Sequence, residues 1–311
     1  MSSSLEERLS FRISIAKLFR TTPELFNIDY GGELIAFSFE SIEADDWFKD
    51  FRQRLLDAIG KNYLPVYRMA DGEYQFLLGI KFNLHPPKIF QYILSFIYRK
   101  TLQLIAGQRI KTSWGETYKG KELFELRGKY INDLNNLLEK GILCAYLYEN
   151  SKNAFVHYNR CFIKFFDNNA VALNKNNLFP FHFPFFALSN DGWQDFIISR
   201  KILIVTGNLE IRKKILEKNL IELGAAKVGF YEISASSSLK DIVDKERVAN
   251  IKEFEIAFIG AGIGSLNIIS QMKWFPGPVI DVGGFISAIL DKNYIYHGGA
   301  VKFPVLKKLP D

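Results

Sequence analysis

The spacing of apolar and polar positions divides the chain into amphipathic helices of period 3.6 and short, continuous apolar strands. Asp45 to Ile59 carries an apolar stripe, opens with acids and stops at Gly60, so it has both end signals of a helix. Leu64 to Arg68 reads as a short strand, MADGE as the loop after it, and Glu73 to Leu78 as the opening of a helix. Pro86 and Pro87 mark the start of a helix predicted to reach about Ala106. Between Lys119 and Glu139, Leu123, Leu126, Tyr130, Leu134 and Leu137 recur at helical spacing, and Ile142 to Tyr148 reads as the next strand.

The second half takes three strand–helix steps. Strands are predicted at Lys201–Val205, Lys227–Ile233, Glu255–Ile259 and Val279–Val282, with helices at Glu210–Leu223 and Ser265–Lys273. Ser238 is placed to cap a further helix. The alternation predicts an α/β fold, a Rossmann-like and mostly parallel sheet with helices on both faces. One domain is expected over 45–311, preceded by a helical or irregular extension over 1–44. The Asn-rich stretch Asn174 to Asn177 is the strongest boundary signal, and reads as a surface loop.

Composition narrows the function. Hydrophobic residues are 48% of the 311 and charged residues 24%, as in ordinary folded proteins. The 28 Phe and 14 Tyr predict large buried contacts or stacking surfaces. A net charge of +6 fits an anionic ligand such as a nucleotide diphosphate, an anionic membrane surface, or solubility alone, and requires no nucleic acid. Cys144 and Cys161 form no CxxC unit, and no Cys/His cluster has zinc spacing, so a reducing cytoplasm is expected. The start MSSSLEERLS lacks the apolar stretch of a secretory signal, and Ile89 to Ile97 is too short to span a bilayer. The expected location is the cytoplasm, with peripheral contact to the inner face of the membrane left open.

Three segments carry candidate chemistry. In VYRMADGEYQF, Asp71 and Glu73 flank Gly72 just after a strand that ends at Arg68. Two carboxylates in one loop suit Mg2+ or Mn2+, Gly72 permits close approach of a ligand, and Arg68 offers a fork of donors to a diphosphate or a carboxylate. The competing reading is an Asp-Gly turn with Glu73 favouring a helix N-terminus. In FIGAGIGSLNIISQMKWFPGPVIDVGGF, Gly260, Gly262 and Gly264 lie between a strand and a helix, and Asp281 ends the next strand. This approximates a dinucleotide fingerprint, but Ser265 stands where the third glycine belongs. The turn fits phosphate binding or tight packing equally. In LFPFHFPFFAL, five Phe, two Pro and His182 make either a flexible acceptor-contacting loop or buried core. The four histidines, His85, His157, His182 and His297, do not pair at metal spacing, and no Gly-x-Ser-x-Gly elbow or Walker loop occurs.

Together the first two segments resemble the GT-D-type glycosyltransferases of bacteria. Those have an early Arg-x-Gly-Asp-Gly-Glu strand–loop, and a late strand, glycine turn, helix and strand ending in Asp-Ile-Gly-His. Here they stand as Arg68-Met69-Ala70-Asp71-Gly72-Glu73, and as IGAGIGSLNI followed by VIDVGG. Gly192 to Gly207 resembles the segment leading into the family's central strand. Ala70 replaces the usual Gly and Gly284 the frequent His, and the likeness runs from about Asp45 to Ile286.

The resemblance implies a Rossmann-like fold and a metal-dependent transfer from a nucleotide-sugar donor, of the UDP-sugar kind, to a glycan, glycoprotein or lipid-linked acceptor. It implies Mn2+ or Mg2+ on Asp71 and Glu73, and charge or carboxylate positioning from Arg68. A donor pocket would be shaped by Arg68, Gly72, Gly260, Gly262, Gly264 and Asp281. A general base is open among Glu116, Glu149, Asp191 and His182. Two rivals stand beside it: an NAD- or S-adenosylmethionine-binding enzyme built on the glycine turn, and a non-catalytic nucleotide-sugar-binding module.

Overall fold

Continuous apolar runs bounded by Gly, Pro and charged residues become strands covered on both faces, as a parallel sheet requires. The computed structural model describes residues 11–14, 35–38, 44–78, 109–111, 116–145, 148–149, 166, 173–174, 176–181, 183–188, 190–247, 253–291, 294–298 and 301–304, some of them, Asp71 among these, by their backbone alone.

In chain order, strands β1 (Phe11–Ser14) and β2 (Ile35–Ser38) precede helix α1 (Ala44–Ala58), β3 (Leu64–Arg68) and α2 (Asp71–Leu78). Then come β4 (Arg109–Lys111), β5 (Thr117–Lys119), α3 (Gly120–Leu138), β6 (Ile142–Ala145), β7 (Tyr148–Glu149), β8 (Leu178–Pro180), α4 (Phe183–Ala187) and α5 (Gln194–Ile197). The second half contributes β9 (Lys201–Thr206), α6 (Leu209–Glu222), β10 (Lys227–Glu232), β11 (Ile256–Gly260), α7 (Ser265–Gln271), β12 (Pro278–Asp281), α8 (Phe285–Leu290), β13 (Ile295–Gly298) and β14 (Val301–Pro304).

Seven strands form one sheet in the order β10-β9-β11-β12-β3-β6-β8, and every neighbouring pair is parallel. The α/β architecture read from the sequence is therefore the observed one, with the main sheet entirely parallel. Right-handed crossovers put helices on opposite faces when the chain moves in opposite directions across a sheet. The chain moves outward from β9 to β10 and inward from β11 to β12, and the packing agrees: α6 lies against α8, and α7 against α3. The helix ends are chemically marked. Gly224 (φ +95°) closes α6, with the Ala225 N–H bonded to Leu220 O and the Gly224 N–H to Ile221 O, which satisfies carbonyls the helix would leave open.

Four expectations need correction. The described residues of 1–44 include two strands, and β2 pairs with β7 in a small antiparallel sheet. The run Ile142–Tyr148 divides, with β6 in the main sheet and Tyr148 in β7. Asn174–Asn177 is a pinned turn: Asn177 is buried and donates to Leu138 O, and Asn176 accepts from Arg54. Among the described residues Ser238 caps no helix; its hydroxyl donates instead to Ala261 O (3.0 Å). The segment after it is fastened by side chains, with Asn267 donating to Ser238 O and Asp241 O. The helix expected from Pro86 to Ala106 lies outside the described residues.

The aromatic segment is also not a loop. Leu178–Leu188 forms the edge strand β8 and helix α4, and Phe179, Phe183 and Phe185 are at most 1% exposed. Phe183 stacks edge-on against Trp47 (5.5 Å) and Phe48 (5.2 Å) of α1. These rings are core, so the acceptor-contact reading does not hold for Phe183 or Phe185. His182 lies outside the described residues.

Candidate active site

Strands β3 and β12 lie side by side, with Val66 opposite Ile280, so both end at the carboxyl edge of the sheet, where α/β proteins place their ligands. Their last residues, Arg68 and Asp281, come from the two separate motifs and meet there. Arg68 Nε donates to the Asp281 carbonyl (2.8 Å), and its guanidinium lies 3.8 Å from the Asp281 carboxylate. Ser265 Oγ donates to the same carboxylate (3.2 Å). The rings of Phe181 (5.1 Å) and Phe185 (4.5 Å) flank the guanidinium. Gly283 completes the seat: its φ is +43°, and a Cβ there would lie 2.0 Å from Arg68 Nη2.

This floor is dry. Arg68 is 6% exposed, Asp281 4% and Glu73 5%. Burial pushes the Asp281 carboxyl up from its ordinary value, against the pull of Arg68 and of Ser265. Burial, and then the charge of Asp281, raise Glu73 to about 7; the N–H groups of Glu73 and Ala70, and then Arg68, oppose the rise. Beneath lie Tyr67 and Tyr130, buried and hydrogen-bonded through their hydroxyls.

Above the floor, the β3–α2 loop turns over Ala70. The Tyr74 N–H bonds Ala70 O (3.1 Å), which makes Ala70 the capping residue just before α2. Glu73 reaches back so that its Oε2 accepts the Ala70 N–H (2.9 Å). Asp71 begins the helix; its side chain lies outside what the structure describes. Gly72 is exposed, and a Cβ on it would sit 3.1 Å from Ile263 Cγ2. The two motifs, almost 200 residues apart in sequence, therefore touch through these two residues.

The glycines of the second motif divide into two kinds. Gly262 is exposed with φ +54°. Gly260 and Gly264 serve packing: added Cβ atoms would lie 2.9 Å from Ile286 and 2.2 Å from Ser238 Oγ. The departure from the dinucleotide fingerprint also has a use, since Ser265 holds Asp281. An acid at that position binds ribose hydroxyls in dinucleotide enzymes, whereas here Asp281 is buried and committed to Arg68 and Ser265.

Between β9 and β11 the direction of travel reverses, and Thr206, Gly207, Arg212, Ser234, Gly260 and Ala261 line a narrow cleft at that switch point. Another groove, of about 520 Å³, runs between α3 and α7 and holds neither motif carboxylate. Of the potential bases, Glu116 accepts from Tyr118 Oη (2.6 Å); His182 and the side chains of Glu149 and Asp191 lie outside the description. Gly283 and Ser265 are the site residues that motif reading did not assign. A glycine beside the Asp281 motif was the available signal for the first.

Among the described residues no three His, Cys, Asp or Glu side chains gather as a cation cage. Mg2+ and Mn2+ do not need one, because they are commonly held by one or two carboxylates together with substrate phosphates and water. Asp71 is described by its backbone alone, as the first residue of α2. Glu73 is turned inward.

No family model and no curated protein matches the chain. Among solved structures it is similar to one described as showing that the highly conserved domain of unknown function 1792 has a distinct glycosyltransferase fold. It is also similar to a selenomethionine-substituted structure of that domain. Identity is 13% in both, over 78% of this chain and 83% of theirs, with TM-scores of 0.40 and 0.41. At these values the likeness assigns no activity.

Proposed function

We propose that this chain is a glycosyltransferase that takes its sugar from a nucleotide-sugar donor bound at the carboxyl edge of the sheet. The observation that carries the reading is the meeting of the β3–α2 loop with the β11–α7 turn, where Gly72 stands against Ile263, Gly72 and Gly262 are both exposed and Asp71 begins α2. Glycine backbones let a diphosphate come close, and the N-terminus of α2 presents N–H groups and a positive dipole end to it.

Asp71 would hold Mn2+ or Mg2+ together with the donor phosphates. The bound cation supplies charge neutralisation to the departing diphosphate. Arg68, buried on Asp281, fixes the two strand ends rather than gripping the donor. An acceptor hydroxyl, on a glycan, a glycoprotein or a lipid-linked sugar, attacks the anomeric carbon; the bond from that carbon to the diphosphate oxygen breaks, and the hydroxyl proton passes to a base. UDP-sugars are the first donors to test. None of the described helices is long and apolar enough to cross a membrane, so a lipid-linked acceptor would be met at the membrane surface.

A thermal-shift screen of nucleotide sugars with and without Mn2+ tests the reading. Stabilisation by one nucleotide family that depends on Mn2+ is the expected result. Stabilisation by NAD or S-adenosylmethionine without metal, and by no nucleotide sugar, would overturn it. Donor binding without transfer to any acceptor would reduce the chain to a binding module.

A further inference from the structure

Of the Asp71-Gly72-Glu73 motif, Glu73 has a carboxylate that the fold itself turns inward and binds. We infer that Glu73 is a positioning residue: its carboxylate caps the first turn of α2 from inside and so holds Asp71 and Gly72 at the lip, leaving Asp71 as the motif's carboxylate for the cation–diphosphate. This rests on the proposed nucleotide-sugar site and divides the labour within it.

The geometry has three parts. Glu73 is the third residue of α2, counted from Asp71, and its Oε2 takes the N–H of Ala70, the capping residue just before the helix. This is the reciprocal half of a capping box, in which a Glu or Gln at the third position satisfies the donor of the capping residue. Ala70 has no hydroxyl with which to return the bond, so Glu73 supplies the side-chain half of the cap beside the backbone bond from the Tyr74 N–H to Ala70 O.

Second, Glu73 is 5% exposed, with Tyr67 and Tyr130 buried beneath it and Arg68 and Asp281 close enough to influence its charge. A cation arriving from solvent would have to enter a buried floor already occupied by the Arg68 guanidinium. Third, Gly72 stands against Ile263 with too little room for a side chain to be added without movement. The lip is thus held from both sides, by the Glu73 cap and by the second motif.

Glutamine separates the two roles, because its side-chain carbonyl can accept the Ala70 N–H but is a poor ligand for a hard cation. The experiment compares wild type, Glu73→Gln, Glu73→Ala and Asp71→Asn, and measures UDP affinity in Mn2+ and exchange of the Ala70 amide by NMR. The expected result is that Glu73→Gln stays within about threefold of wild-type affinity and keeps the Ala70 amide protected. Glu73→Ala should lose at least about tenfold with a fast-exchanging amide. Asp71→Asn should lose affinity with its amide still protected.

Loss in Glu73→Gln as deep as in Asp71→Asn would make Glu73 a ligand and overturn the inference, as would a wild-type-like Glu73→Ala. If Glu73→Ala does not fold, Glu73→Gln against Asp71→Asn still decides. If wild type binds no Mn2+–UDP, the functional reading fails, while amide exchange still reports whether Glu73 holds the turn.

Discussion

The lip and the floor of the site are built from opposite materials. The floor holds the charged groups: Arg68, Asp281 and Glu73 are all at most 6% exposed. The lip presents the exposed backbone of Gly72 and Gly262, with Asp71 opening its helix. Charged residues that read as ligands in a motif are here mostly interior struts, and a ligand would meet mainly glycine backbone. Spacing along a motif cannot tell the two apart, because the chain passes from floor to lip and back within Arg68–Glu73.

The strongest way to break the comparison is at the floor. Arg68→Ala would leave Asp281 buried without its partner, a change that typically costs about 3–5 kcal/mol. Denaturant unfolding should show this loss, with donor binding falling only as the fold is lost. A stably folded Arg68→Ala that binds no donor would instead put Arg68 on the ligand. Phe183→Ala belongs to the same supporting layer and should cost roughly 3–5 kcal/mol as a buried ring; a normal melting temperature with a selective acceptor defect would return the segment to the site.

The second motif sharpens the contrast with two glycines of the same turn. Gly264→Ala would force a methyl against Ser238 and should cost about 1–3 kcal/mol, as overpacking does. Gly262→Ala sits at φ +54°, where a side chain costs roughly 1–2 kcal/mol. Its effect should be the smaller on stability and the larger on donor affinity. The reverse order in paired melting and binding measurements would mean that Gly262, too, serves packing.

Much of this was legible in the sequence, and the failures have common causes. Strands β9, β11 and β12 were readable because each is a short apolar run bounded by glycine or proline, and the ends of β11 and β12 place the glycine turn and Asp281 on one edge. The region after Ser238 was not, because Asn267 and Asp241 hold it by contacts between segments distant in sequence. The Phe-rich run could be core or surface from composition alone, and the partner that decides it is Trp47 and Phe48 on α1. Glu73 read either as a cation ligand beside Asp71 or as a residue favouring a helix N-terminus; its bond to the Ala70 N–H is local, whereas the burial of its carboxylate is a tertiary fact.

Asp71→Asn, nearly isosteric at the first residue of a helix, should change stability least, within about 0.5 kcal/mol. It is also where the central claim is most open to contradiction. Isothermal titration of UDP into wild type and Asp71→Asn, each in Mn2+ and in EDTA, asks whether this carboxylate and a cation together bind the diphosphate. The account predicts that wild type binds in Mn2+ and loses at least about tenfold in EDTA, and that Asp71→Asn is equally weak in both. Equal wild-type affinity with and without metal, or an Asp71→Asn protein that binds like wild type, would contradict it.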